Sequence, residues 1–552
     1  MITPIHKIQG PGLLSPLAGK DVTLRGVVTG RTRKGFFVQD PLGDTDEAVS
    51  HGLFVFKRGD CPPFGSIVDV SGFVVDYRPN GDEDARPTTQ LKERSTHVLD
   101  ERGPSIEPVW LTAERVLVPQ LELSTFLNNL EGMLVGVPAG ATFVAPSNPF
   151  GDYVLVPPDA DIKRTTAGGV LIDPHQPGRW LPSFRILDYE QAPRVNVGAE
   201  LMEGVVGPLN FRVASYQFVV TGPVQVSSVN LKEQTTKLRA KDSFMTVLTL
   251  NGFNLDTTIE DPAKVKAPDR DVDDDVGQGR FGGLARAIVE NAACPDIVAL
   301  QEIQDDDGAE ISDVVSAERT LEELISAVRR GGGPTYTWAD LPPEAGADGG
   351  QPGGNIRNAF LYDSKRVQLV PGSLQRLGQE HSAFADSRKP LTARFRLLQS
   401  SGELEIVNVH LASKRNQNGL FAPKQPGFDP RLAIRVEQVQ LIGEHLATLR
   451  AAEVDYYVTG DFNDFEFSQT LYELIGDHSI NLVDRIPEEQ RYDYNHRGLS
   501  QALMHGVIAK RQLVGRLAEY EILHSNALTG TSPGQLGGKA SDHGYVIARL
   551  QL

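Results

Sequence analysis

The stretch VTGDFND, residues 458–464, decides the interpretation of the C-terminal half of the chain. It ends a short apolar run, 454–458, and Gly460 turns the chain after that run. Asp461 and Asn463 stand two residues apart, so in an extended backbone their side chains face the same way. The stretch predicts a carboxylate and a carboxamide side by side at a strand end, with an ordinary turn as the alternative.

Residues 236–552 have the pattern of a layered α/β domain. The run 244–250 is almost continuously apolar, as in a strand buried on both faces. Helical spacing of apolar residues at 281–288, 321–328 and 432–449 alternates with further strands. Polar side chains recur at the strand ends of this half: Asn251, Glu302, Asn408, His410, Asp461, Asn463, Asp542 and His543.

The N-terminal part has a different pattern. Residues 1–103 contain five short alternating strands punctuated by glycine, proline and aspartate, which predicts a small OB-fold-like β-barrel. Residues 104–235 contain further short strands and one helical piece, which predicts a second β-barrel-like domain. A spacer role and a nucleic-acid-binding role are both open for these two regions.

Charge and composition exclude several classes of protein. The net charge of −18 argues against broad electrostatic capture of nucleic acid, so a polyanion must meet a local basic patch or metal ions. Two cysteines are too few for a disulfide framework or a CxxC zinc cluster. There is no apolar run of about 18 residues and no recognisable leader, so no membrane association is expected.

An acidic segment, DRDVDDDVGQG at 269–279, invites comparison with a calcium loop. The EF-hand spacing fails there, because Asp274 stands where glycine is needed and Arg280 where glutamate is needed. We therefore expect a solvated loop.

The residue types at the strand ends suit metal-assisted hydrolysis of a phosphodiester. Hard oxygen ligands with few histidines favour Mg²⁺, Mn²⁺ or Ca²⁺ over zinc. Such an ion neutralises charge on the phosphate, while a carboxylate positions water and a histidine moves a proton or stabilises charge.

Six ordered motifs carry a resemblance to a known family: LTLNGF, PDIVALQE, SRKPLTARF, NVHLASK, VTGDFND and SDH. Their order and spacing resemble the endonuclease/exonuclease/phosphatase superfamily, whose fold is the four-layer α/β sandwich of the DNase I-like type. The front of the chain, with HKIQGPG, SPLAGKDVTLRGVVTG and GFFVQDP, is similar to the OB-like module of bacterial secreted nucleases.

The resemblance implies a role for each matching residue. Asp461 and Asn463 would hold the water and the phosphate, His543 would bind a phosphate oxygen or act as base, and His410 would face the leaving group. The implied catalytic set is His410, Asp461, Asn463, His543 and Arg388; the metal set is Glu302, Asn251 and Asp542; the phosphate and nucleic-acid set is Asn408, Lys414 and Arg415. For Lys414 and Arg415 a solvated pair of charges is the alternative.

One departure from the family pattern concerns the final histidine. The family has an aspartate on a late strand that hydrogen-bonds this histidine, and here the string is Leu503-Met504-His505. Met504 cannot accept that bond with any strength, so either another carboxylate substitutes in space or turnover is lowered. The carboxylate partner of His410 is left open between Asp340 and Asp348.

The resemblance thus implies a metal-dependent, sequence-tolerant endonuclease that acts on DNA, with RNA also open. The expected location is secreted or periplasmic, and a monomer is favoured. Two alternatives remain: a phosphoesterase for a phospholipid or phosphoinositide, and a catalytically weakened nucleic-acid-binding protein.

Overall fold

The computed structural model describes residues 1–41, 48–79, 85–232, 234–414, 419–422, 425, 428–534 and 539–552. Within these residues, no helix is both long and apolar enough to cross a bilayer.

The first region forms a closed five-stranded barrel in the order β1-β2-β3-β5-β4. Strands β1 and β4 pair antiparallel and close the barrel, while β3 and β5 pair parallel. Alternate side chains of these strands and of the short helix α1 fill the interior. The bounds are α1 Ile5–Gln9, β1 Asp21–Thr32, β2 Gly35–Gln39, β3 Gly52–Phe56, β4 Ile67–Tyr77 and β5 Thr88–Asp100.

The second region differs from the predicted barrel. Seven of its strands form a sheet in the order β6-β7-β12-β13-β11-β9-β8, with β6 and β8 at its two ends. Short edge strands and two helices cover an aromatic core instead of closing a ring. The bounds are β6 Val109–Trp110, α2 Ala113–Val116, α3 Gln120–Asn128, β7 Leu134–Val137, β8 Thr142–Phe143, β9 Asp152–Val156, β10 Val170–Leu171, β11 Ser183–Ile186, β12 Val205–Arg212 and β13 Ser215–Val220.

The C-terminal half contains two mixed sheets packed face to face. Their orders are β16-β17-β15-β14-β28-β27 and β18-β20-β21-β22-β26-β23, with β19 paired to β20. Their strands are β14 Phe244–Leu255, β15 Ile297–Ile303, β16 Thr337–Ala339, β17 Arg357–Tyr362, β18 Val367–Leu369, β19 Gln375–Arg376, β20 Leu391–Leu397, β21 Glu403–His410, β22 Tyr456–Asp461, β23 Ser479–Asn481, β26 Met504–Ala509, β27 Ala518–Leu523 and β28 Tyr545–Gln551. Two further strands, β24 Tyr494–His496 and β25 Leu499–Gln501, pair with β10 in a separate three-stranded sheet.

Helices cover the outer faces of both sheets. They are α4 Pro268–Asp271, α5 Arg280–Arg286 followed by a π-helical turn Ala287–Asn291, α6 Glu318–Arg330, α7 Leu432–Ala451, α8 Gln469–Ile475 and α9 Ser525–Leu528. On β14, Leu248 and Leu250 pack with the core that includes α5 and α6, whereas Met245 and Val247 pack between the sheets. This alternation explains the continuous apolar run, and it gives the four layers helix, sheet, sheet, helix.

Two parallel strand pairs bring the polar strand ends to one edge of the sandwich. In β14 and β15, Asn251 is the register partner of Gln301, which precedes Glu302. In β21 and β22, His410 is the register partner of Asp461. Gly460 permits this close pairing, because a Cβ there would lie 1.9 Å from the Val409 carbonyl oxygen.

Candidate active site

The centre of the site is a chain of close contacts among two carboxylates and two histidines. His410 Nε2 lies 3.7 Å from Glu302 Oε1 and 3.6 Å from Asp461 Oδ2. His543 Nε2 lies 3.6 Å from the same Asp461 oxygen. The four residues come from both sheets, so the sandwich itself assembles the site.

Backbone geometry and short hydrogen bonds fix the carboxylates. Glu302 and Asn463 both have left-handed backbone, with φ of 52° and 51°, a conformation that is costly for such residues and that clusters at functional sites. Asn251 Nδ2 donates to Glu302 Oε1 at 3.1 Å, and the backbone N–H of Asn463 donates to Asp461 Oδ1 at 2.8 Å. Asn251 therefore positions Glu302, and its role as a metal ligand stays a prediction.

The site is rich in buried negative charge. Burial, and then the Asp542 charge, raise the pKa of Glu302 above its ordinary range, while Arg388 opposes the shift. Burial also raises the pKa of Asp461, and the charges of His543 and Arg388 oppose it. Arg388 is buried, and its Nη2 donates to the Leu411 carbonyl at 3.1 Å, beside the two carboxylates.

These residues fit a divalent cation. One ligand atom each from Glu302, His410 and Asp461 lie within 4.8 Å of one another. In addition, Asp542 Oδ1 is buried without a hydrogen-bond partner in the described part of the chain. A hard cation would satisfy that oxygen and offset the negative charge, because carboxylate oxygens are its preferred ligands.

A residue that the sequence analysis missed, Asp493, orients His543. Its Oδ2 lies 2.7 Å from His543 Nδ1, and its Oδ1 accepts from the backbone amides of Leu503 and Met504 at 2.7 and 3.0 Å. Burial alone would lower the pKa of His543, but Asp542, Asp461 and Asp493 outweigh that effect and raise it to about 10. Tyr494 stacks on the imidazole with ring centroids 4.7 Å apart.

Of the two outcomes left open for Met504, the structure shows the first, in which another carboxylate holds His543. The Met504 side chain is fully buried in the core between the sheets, and a carboxylate from a different segment takes the place of the missing one. The available sequence signal was Tyr492-Asp493-Tyr494, a single acid between two aromatics just before the late strand.

Asn408 and Lys414 both contact other groups of the protein. Asn408 Nδ2 donates to the Leu300 and Ala359 carbonyls at 2.8 and 3.1 Å, and its Oδ1 accepts from Gln301 at 2.7 Å, so it joins the two sheets. The Lys414 ammonium lies 3.0 Å from Asp464 Oδ1 and 3.1 Å from the Phe465 ring centroid. Both side chains are engaged within the protein, and their phosphate-binding roles stay predictions.

The remaining predictions about the site have mixed outcomes. Arg415 lies outside the described residues. Asp340 is paired with Arg357 at 3.3 Å and Asp348 with Lys389 at 2.6 Å, and the carboxylate partner of His410 stays open between them.

A cleft adjoins the catalytic residues. Its volume is about 440 Å³, and it is lined by Lys232, Arg286 and Lys539 together with Arg280, which is ion-paired with Asp275. Ala540, which also lines it, directly precedes Ser541-Asp542-His543, and Asn526 Nδ2 donates to the His543 carbonyl at 2.8 Å. Positive charge is therefore concentrated locally in a chain whose net charge is −18.

A helix-covered double sheet with an acidic, histidine-containing site at the strand ends defines a hydrolase of the phosphoesterase type. The family model described as the Endonuclease/Exonuclease/phosphatase family matches residues 259–543, more than half of the chain. The chain belongs to this family. A second family model, described as a domain of unknown function (DUF8508), matches residues 84–230.

Several solved structures are similar to this chain. A humanized D. rerio TDP2 is 14% identical, covers 56% of this chain and 100% of its own, and has a TM-score of 0.37. The human Nocturnin catalytic domain with bound sulfate is 15% identical, covers 56% and 94%, and has a TM-score of 0.35. A mannosyl-6-phosphatase from Bacteroides thetaiotaomicron is 15% identical, covers 55% and 98%, and has a TM-score of 0.36. No curated protein sequence matches the chain.

Proposed function

We propose that the protein is a divalent-metal-dependent phosphodiesterase that cleaves DNA endonucleolytically without sequence preference. The observation that carries the proposal is the contact chain from Glu302 through His410 and Asp461 to His543, with each step at 3.6–3.7 Å. A bound Mg²⁺, held by Glu302 with Asp542 beside it, would neutralise charge on the scissile phosphate.

The side chains have separate tasks in this proposal. His543, held by Asp493 at 2.7 Å, donates from Nε2 to a phosphate oxygen. Asp461, which accepts from the backbone N–H of Asn463 at 2.8 Å, positions the attacking water and accepts its proton. His410 faces the leaving oxygen, and Arg388 adds positive charge beside both carboxylates.

Two basic surfaces support a polyanionic substrate. The cleft beside His543 is one, because Arg286 and Lys539 line it and Lys539 lies shortly before the Ser541-Asp542-His543 motif. The N-terminal barrel is the other, for which we propose an OB-type role. Its β1–β2 turn carries exposed Arg31, Arg33 and Lys34, and OB barrels bind oligonucleotides with the corresponding loop.

The location of the protein is a further part of the proposal. The resemblance of the N-terminal segments to secreted bacterial nucleases supports action outside the cytoplasm, and fractionation of the native host with an antibody would test it.

The test of the activity uses three substrates, plasmid DNA, RNA and a chromogenic phosphodiester, each with Mg²⁺ and with EDTA. We expect plasmid nicking that requires the metal and is lost in Glu302→Gln but kept in Glu318→Gln, which removes the same charge from an exposed helical site. Cleavage of the small ester alone would indicate a non-nucleic substrate, and inactivity on all three substrates would contradict the enzymatic assignment.

The cleft has its own test, in which plasmid affinity is measured against salt in the Glu302→Gln background. Arg286→Ala should weaken binding and lower the slope of log affinity against log salt by about 0.9, the value for one phosphate contact. The matched control is Arg329→Ala, an exposed arginine on α6. If both variants show the same slope of log affinity against log salt, Arg286 does not contact the DNA.

A further inference from the structure

A second group of carboxylates lies apart from the catalytic residues, where the segment between β14 and α5 meets the loop after β15. Ligand atoms of Asp256, Asp273 and Asp275 lie within 4.8 Å of one another. Glu260 joins them, since its Oε2 accepts from the Asp273 amide at 3.1 Å and its Oε1 from the Ala309 amide at 3.2 Å. These four residues form the Asp256 cluster.

The cluster carries more negative charge than its surroundings offset. Arg280 pairs with Asp275, and within the described residues it is the one cation ion-paired with the four carboxylates. Asp256, Glu260 and Asp275 are all nearly inaccessible to water. Buried carboxylates of this kind are costly unless a proton or a cation compensates them.

An unpaired oxygen inside the cluster points to a cation. Asp256 is 1% exposed, and while its Oδ1 accepts from the Thr258 amide at 2.8 Å, its Oδ2 is buried with no hydrogen-bond partner among the described residues. Asp273 Oδ1 is likewise buried with no hydrogen-bond partner among the described residues. Burial also raises the pKa of Asp256 to about 9, as expected for a carboxylate that lacks a positive partner.

The backbone comes very close to the carboxylates at this place. Gly308, with φ of 65°, approaches the cluster so closely that a Cβ would lie 2.5 Å from Glu260 Oε1 and 2.9 Å from Asp256 Oδ1. A larger residue would therefore fill the space between these two carboxylates.

We propose that the Asp256 cluster binds one calcium ion. Four carboxylates at irregular sequence spacing suit Ca²⁺, which takes six to eight oxygens in flexible geometry, better than Mg²⁺, which keeps most of its waters. The EF-hand spacing that the sequence lacks is not needed, because two of the four ligands come from residues 256–260, before the acidic segment.

The ion would fasten the end of the strand that carries Asn251. Asp256 directly follows β14, and Arg280, which pairs with Asp275, donates from Nη2 to the carbonyls of Gly252 and Phe253 at 2.6 and 2.5 Å. Calcium would thus hold the acidic segment, and through Arg280 the strand end beside the catalytic carboxylate. Its role is structural and separate from the metal at Glu302.

The test measures calcium binding directly. The full chain carrying Glu302→Gln, which weakens the catalytic metal site, is stripped with chelator and titrated with CaCl₂ by calorimetry. We expect about one equivalent of calcium to bind and to raise the unfolding temperature by several degrees. Adding Asp256→Asn and Asp273→Asn should abolish both effects, whereas adding Asp269→Asn, at an exposed position of the same segment, should leave both.

The charge argument gives an independent check in EDTA. Without calcium, the Asp256→Asn/Asp273→Asn protein should melt at a higher temperature than its parent, because it lacks two carboxyl groups whose charged form burial disfavours. If that protein does not fold, Asp273→Asn alone should weaken calcium binding at least about tenfold. The proposal is overturned if the Glu302→Gln parent takes up no calcium, or if the cluster variants bind it as tightly as the parent.

Discussion

Replacing Asp493 by asparagine removes one charge from the centre of the site and keeps the shape of the side chain. Asp493 is fully buried, and its two oxygens serve His543 Nδ1 at 2.7 Å and the amides of Leu503 and Met504 at 2.7 and 3.0 Å. Asparagine offers only one acceptor oxygen. If that oxygen stays with the two amides, its NH₂ faces His543 Nδ1, which then cannot carry a proton.

In the Asp493→Asn variant the His543 imidazole is then neutral, whereas in the wild type the neighbouring carboxylates stabilise its protonated form. A correctly protonated and oriented acid–base group contributes about 10²–10⁴-fold to the rate, so we expect kcat to fall by about 10²- to 10³-fold with KM changed by less than about threefold. The buried hydrogen bonds lost to the charged group should lower the free energy of unfolding by about 1–3 kcal/mol.

The assay is steady-state hydrolysis of a chromogenic phosphodiester at saturating Mg²⁺, with Asp477→Asn, an exposed aspartate, as the matched control. His543→Gln and the double variant complete a cycle. Because Asp493 acts through His543, the double variant should be no slower than His543→Gln alone. Activity of Asp493→Asn within about threefold of wild type, or fully multiplicative losses in the cycle, would refute the orienting role.

Three further predictions follow from buried polar and apolar groups. Met504→Asp should lower the free energy of unfolding by about 3 kcal/mol or more without raising the rate, whereas Met504→Leu should cost less than about 1.5 kcal/mol, both measured by urea denaturation. Asn408→Ala should cost about 3 kcal/mol, because it removes three buried hydrogen bonds between the sheets, while plasmid affinity should stay the same. Burial lowers the pKa of His524 to about 4 from 6.5, so its neutral form stabilises the folded protein above pH 6.5 and that stability is lost as the pH falls toward 4. The loss is about 3 kcal/mol, and it should be absent from urea titrations of His524→Gln.

The sequence predicted the fold of the C-terminal half well because local patterns and global packing agree there. The run 244–250 is apolar on both faces because it lies between helices and a second sheet, and the helical spacing at 432–449 corresponds to α7. The second N-terminal region was predicted less well. Its short strands had the spacing of a barrel, but strand order depends on long-range pairing that alternation does not encode.

The site residues that lie at strand ends could be predicted from the sequence, whereas those that lie in loops could not. His410 and Asp461 lie side by side because β21 and β22 pair in parallel, and the packing of the two sheets adds Glu302 near the end of β15. Asp493 lies outside any strand, so only the folded chain places it beside His543. The Asp256 cluster was not predicted for the same reason. Asp256 and Glu260 precede the acidic segment that contains Asp273 and Asp275, and only the folded chain brings them together.

A small three-stranded sheet connects the second region to the catalytic half, and it therefore limits where the chain can be truncated. Its order is β10-β25-β24, in which Val170 and Leu171 of the second region pair in parallel with Leu499 and Ser500 of the catalytic half. The hairpin thus supported carries Tyr494, the residue stacked on His543. A fragment beginning near residue 236 would keep every candidate catalytic side chain yet lose β10, so the second region supports the hairpin that carries Tyr494.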